Sequence, residues 1–86
     1  MELKFTKSFV KSYKKLSSRD RERVNAALIV FQEEPHHDRL YNHPLKGKLS
    51  GIRAISAGFD LRIVFREEDD YTVVYLLKAG THNQAY

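Results

Sequence analysis

The run Tyr71-Thr-Val-Val-Tyr-Leu-Leu-Lys78 constrains the chain more than any other stretch. It is rich in β-branched and aromatic residues, and it is apolar on both faces. A strand of that kind belongs in the middle of a sheet, so the rest of the chain has to supply its neighbours. Two further stretches qualify. Phe59 to Arg66 alternates, with Leu61, Ile63 and Phe65 on one side and Arg62, Val64 and Arg66 on the other. Ile52 to Ser56 alternates more loosely. Ala57-Gly58 and the acidic turn Glu67-Glu68-Asp69-Asp70 are short connections, so these strands pair antiparallel. Glu2 to Phe5, with Leu3 and Phe5 on one face, predicts a fourth strand at the start of the chain.

The periodicity changes between that first strand and the others. Phe9, Tyr13 and Leu16 fall at helical spacing behind Thr6, a good N-cap, and predict a helix from about Lys7 to Leu16. Lys7, Lys11, Lys14 and Lys15 lie mostly off its apolar stripe. The plainer reading of this lysine run is a solvated face, and the sharper one is a face that contacts phosphate. Ser17-Ser18 breaks the helix, and Ser17 with Asp20 resembles a capping box with the shorter acid. Val24, Ala27, Leu28 and Phe31 then predict a second helix from about Arg19 to Glu34, ended by Pro35. The expected fold is α+β, ordered β-α-α-β-β-β. A helical hairpin packs on one face of a twisted, mainly antiparallel four-stranded sheet. Residues 1–86 form one domain.

Composition narrows the class of function. Hydrophobic residues make up 42% of the chain and aromatic residues 12%, enough for a folded core. There is no cysteine, which excludes disulfides and thiolate metal sites and suits a reducing compartment. No apolar run approaches the roughly 20 residues that span a bilayer, and the N-terminus lacks the apolar core of a signal peptide. The expected location is the cytoplasm. A formal charge of +4 on so small a body favours polyanions, nucleic acid first, or an acidic protein partner.

Between the helical and strand halves, Pro35 to Ser50 reads as an irregular loop. Loops of that length are often functional. His36 and His37 are adjacent and point apart, with no cysteine or helical His-x-x-x-His pair to support them, so neither a metal site nor a cofactor is expected. There is no Gly-x-Ser-x-Gly and no phosphate-binding glycine loop. Metal-free RNA cleavage needs less. A base takes the 2′-hydroxyl proton, an acid protonates the leaving 5′-oxygen, and cations stabilise charge on the phosphate. His43 and His82 could be acid and base, since imidazole as a class titrates near neutrality. Lys46, Lys48, Arg53, Arg62 and Lys78 could supply the cations, with the face taken by Arg53 depending on strand register. Tyr86 could stack on a base.

His43-Pro44-Leu45-Lys46-Gly47, Gly51-x-Arg53, the Leu61-Arg-Ile-Val-Phe65 strand and Gly80-Thr81-His82 with Tyr86 four residues on resemble the YafQ branch of the RelE/ParE toxin superfamily. The resemblance covers nearly the whole chain. It implies the RelE-like fold and a toxin of a type II toxin–antitoxin pair. It further implies a ribosome-dependent endoribonuclease that cuts messenger RNA in the ribosomal A site and is held inactive by a cognate antitoxin. The antitoxin would contact the helical hairpin and the basic sheet face. By the same resemblance His43 matches a catalytic-site histidine and Asp60 the active-site aspartate. His82 matches the leading candidate for acid or base, Arg62 a phosphate-contacting arginine, and Tyr86 an aromatic that closes the site. Three positions depart from the branch. Ser56 stands for a histidine, Leu61 for a tryptophan and Lys78 for an arginine; a lysine keeps the charge but not the bidentate geometry. Two alternatives stay open. One is a ParE-like toxin that inhibits DNA gyrase. The other is a catalytically weakened toxin that only binds its antitoxin.

Overall fold

The structure is a computed structural model that describes residues 1–47 and 51–85. Its elements run β1 (Glu2–Phe5), α1 (Lys7–Lys14), α2 (Ser18–Glu33), a 3-10 turn (Asp38–Leu40), β2 (His43–Pro44), β3 (Arg53–Ser56), β4 (Leu61–Glu68), β5 (Val73–Thr81) and α3 (His82–Ala85). Among the described residues they build one five-stranded sheet in the order β1-β5-β4-β3-β2. β1 pairs parallel with β5, and the remaining pairs are antiparallel. β5 is therefore interior, flanked by the first strand and by its hairpin partner.

The expectation of four strands and an irregular stretch after Pro35 needs correcting. A two-residue edge strand, β2, forms at His43–Pro44 and pairs with Ala54 and Arg53. Two residues carry no readable periodicity, and a proline normally argues against a strand. At an edge its missing N–H is tolerated. The chain also adds α3 after β5.

Both helix starts follow the sequence. Thr6 Oγ1 accepts from Phe9 N at 3.1 Å and donates to Leu76 O at 2.7 Å, so the cap of α1 is tied to the interior strand β5. Ser17 Oγ accepts from Asp20 N at 3.1 Å. Asp20 itself turns to Arg23 at 3.0 Å. The apolar stripes of both helices face the sheet. Phe31 and Phe65 meet edge-on with centroids 4.9 Å apart, and Val24, Leu40, Ile55, Ile63, Val74 and Leu76 are fully buried around them.

A register irregularity in β5 matters most for the site. Val64 pairs with Lys78, but the next residue, Phe65, pairs with Leu76. Leu77 is thus the extra residue of a β-bulge. Val74 and Leu76 belong to the main core. Strict alternation from them would drive Lys78 into that core. The bulge instead places Ala79 there and turns Lys78 to the opposite face with Val64.

Candidate functional site

The second sheet face lies opposite α1 and α2, and cross-strand pairing defines what stands on it. His43 pairs with Ala54, Ala54 with Val64 and Val64 with Lys78, which makes one continuous row over four strands. A neighbouring row on the same face holds Ser56, Arg62 and Gly80. Ala54, Val64 and Ala85 form a small apolar cluster here, with Leu45, Ile52 and Leu77 against it. The short α3 therefore folds back over the middle of this face, and alanines at 54 and 85 let it sit close.

Register also brings the two ends of the Gly-Thr-His motif and the β3–β4 turn together. Leu61 pairs with Thr81, so Asp60 and His82 stand opposite each other just beyond that pair. His82 N donates to Asp60 O at 3.0 Å. The turn is built for this. Gly58 has φ +102, a conformation only glycine adopts cheaply, and Leu61 N closes onto Gly58 O at 2.9 Å.

Arg62 is held by its surroundings. Its Nη1 donates to Phe59 O at 2.9 Å, to Leu61 O at 3.0 Å and, more weakly, to Ser56 Oγ at 3.4 Å. Every hydrogen bond that Arg62 makes among the described residues uses Nη1, which leaves the Nε–Nη2 edge to grip an anion side-on. Gly80, opposite Arg62, adds no side chain to crowd it.

His43 Nδ1 lies 2.9 Å from Tyr41 O, and the Tyr41 ring packs on it at 4.9 Å. A carbonyl only accepts, so Nδ1 carries the hydrogen in this bond. Between His43 on β2 and its row partner Lys78 on β5 lie three strand spacings, on the order of 14 Å between backbones.

Not every expected residue arrives here. Arg53 pairs with Phe65 and Ile55 with Ile63, so Arg53 shares the helical face and not the row of His43. Its Nε donates to Asn42 Oδ1 at 2.8 Å, inside a network in which Asn42 Nδ2 donates to Pro35 O and to the Tyr71 hydroxyl, each at 3.0 Å. The expectation of Arg53 as an RNA contact is not matched by this placement; the pleat turns it toward the helix end. Lys46 is exposed next to β2. Lys48 and Tyr86 lie outside the described residues. Arg66 shares the face of Arg62, where it stacks over Tyr75 at 4.6 Å and pairs with Glu68 at 3.0 Å. His36 packs edge-on against Tyr71 at 5.2 Å, and His37 Nδ1 accepts from Arg39 N at 3.1 Å. Both have local structural roles.

A family described as the bacterial toxin of type II toxin–antitoxin systems, YafQ, matches residues 1–86. The chain belongs to the YafQ toxin family. Comparison with curated proteins finds no match. Solved structures share the fold. YafQ from Escherichia coli superposes with a TM-score of 0.81 at 17% identity, covering 96% of this chain and 94% of that one. The YoeB/ParE toxin from Agrobacterium tumefaciens gives 0.77 at 21%, covering 95% and 99%. The archaeal RelE–RelB complex from Pyrococcus horikoshii gives 0.74 at 20%, covering 98% and 97%. At these identities the likeness is one of fold, whereas the YafQ family match spans the whole chain. No helix among the described residues is long and apolar enough to cross a membrane.

Proposed function

We propose that this YafQ-family toxin is an endoribonuclease that cleaves messenger RNA on the ribosome by metal-free acid–base chemistry. The observation that carries the reading is the shared face. His43, Arg62 and Lys78 stand on two adjacent cross-strand rows, and Asp60 and His82 are joined at the end of them. His82 lies four residues beyond Lys78, so the backbones of His43 and His82 stand on the order of 19 Å apart at opposite ends of the face, and an RNA strand laid across it would meet both imidazoles. One would take the 2′-hydroxyl proton while the other protonates the leaving 5′-oxygen. Arg62 and Lys78 would stabilise charge on the phosphate between them. The backbone bond sets Asp60 beside His82, and its carboxylate would orient a histidine. Lys46 and Lys48 extend the contact to neighbouring phosphates, and Tyr86 stacks on a base.

The partner in the cell is a cognate antitoxin that blocks this face. The family's description and the toxin–antitoxin complexes among its structural relatives support that assignment.

The test is primer extension on a reporter messenger RNA in a purified translation system, with wild type beside His82→Ala. Cuts at defined codon positions that need the ribosome, and that fall at least a hundredfold in the variant, are expected. A folded His82→Ala protein with full cleavage removes His82 from the mechanism. Absence of cuts with growth still blocked points to a gyrase-type toxin. Absence of both points to a protein that only binds its antitoxin.

A further inference from the structure

β1 pairs with β5 only as far as Leu76, so the rest of β5 has an open edge, and α1 lies along it. Ser12 Oγ accepts from Ala79 N there at 3.0 Å. Between α1 and this edge runs a groove of about 600 Å³. Lys11, Lys15 and Lys78 line it, with the hydroxyls of Ser8 and Ser17. Among the described residues none of these three lysines forms an ion pair. Asp20, a carboxylate at the rim, is engaged by Arg23 at 3.0 Å. The groove also meets the start of the 16-residue helix α2 at its cap Ser17, where the helix dipole is positive.

We propose that this groove is a second binding site for the RNA strand, taking its phosphodiester backbone as it leaves the cleavage face over Lys78. The inference rests on RNA being the substrate. Lys78 belongs to both places, since its register partner Val64 lies in the row of His43 and it also borders the groove. Lys11 and Lys15 stand about one helical turn, ~6 Å, apart and so meet successive phosphates. Lys7 and Lys14 of the same helix are not among the groove's lining residues. The lysine run of α1 thus divides into a working pair and a solvated pair. Ammonium and hydroxyl groups suit a phosphate chain better than the apolar anchors of a protein partner.

The experiment measures binding of a fluorescent 2′-O-methyl oligouridylate, which lacks the attacking hydroxyl, as a function of salt concentration. Wild type is compared with Lys11→Gln/Lys15→Gln and with the charge-matched Lys7→Gln/Lys14→Gln, circular dichroism confirming the fold of each. Each phosphate contact on a single strand contributes about 0.7 to the slope of log affinity against log salt, so the groove variant should lose about 1.4 while the control loses far less. Equal slopes in wild type and the groove variant would overturn the proposal. So would an equal loss in the control, which would reduce the effect to net charge. A groove variant with unchanged RNA binding but lost affinity for polyglutamate would overturn it too and assign the groove to an acidic protein. Failure of the nuclease reading is separable. A slope difference between the two variants, with no cuts by wild type on the ribosome, leaves the groove as an RNA site and removes the cleavage.

Discussion

Arg53 and Arg62 carry the same side chain on adjacent strands, and the pleat sends them to opposite faces. Arg53 closes a network through Asn42, which connects it to Pro35 and Tyr71. Removing Asn42 strands three partners at once. Asn42→Ala should therefore cost about 1–3 kcal/mol in a urea titration, with cleavage following only the loss of folded protein. Arg53→Gln should behave in the same way, more weakly. Arg62→Gln should do the reverse. It should lower cleavage by two orders of magnitude or so while moving the melting temperature by no more than a few degrees, because its bonds run to exposed or half-exposed acceptors. A fully active Arg62→Gln protein would remove it from the phosphate site. Neither role could be assigned from arginine chemistry alone, since the difference is one of strand register.

Helix α1 shows how an element is fixed at both ends by the same strand. Thr6 caps the helix and reaches Leu76, and Ser12 reaches Ala79 on the far side of the bulge. Thr6→Ala loses the cap and a long-range bond together. It should cost about 1–2 kcal/mol, a drop of several degrees in melting temperature for a domain of this size. A change below half a kcal/mol would show that solvent replaces both bonds. The bulge beside these contacts is a comparable element-level device: it reverses the alternation of β5 in mid-strand. Helix caps were legible because they rest on neighbours three residues apart. The bulge was not, because Leu76-Leu77-Lys78 is as compatible with unbroken alternation as with its interruption.

At the scale of the whole molecule the core is thin, and Phe31 is at its centre. It touches Phe65 and Tyr71 edge-on and is fully buried. Phe31→Ala should cost about 3–5 kcal/mol. Domains of this length carry total stabilities of order 4–13 kcal/mol, at roughly 0.05–0.15 per residue. Calorimetry should accordingly find the variant marginal or unfolded at 37 °C, and a shift of only a few degrees would mean that the surrounding side chains collapse into the gap. The residues proposed for chemistry lie on the other face of the sheet, so stability and activity should separate in mutants of the two faces.

The sequence by itself determined the two helices with their caps, four of the five strands, the interior place of the strand read at Tyr71–Lys78 and found at Val73–Thr81, and the toxin family. Each of these rests on periodicity, on local hydrogen bonding or on a motif that survives in the chain order. Tertiary structure alone decided the rest. It created the edge strand at His43–Pro44, which is too short to leave a pattern and exists only because β3 offers it partners. It turned Arg53 away from Arg62 and, through the bulge at Leu77, turned Lys78 toward His43. It brought Asp60 against His82 by closing a hairpin whose ends lie 22 positions apart in the sequence. Register is set by pairing between distant segments, and a shift of one residue exchanges the faces of a strand. No local property of the sequence fixes that choice, yet the membership of the site depends on it.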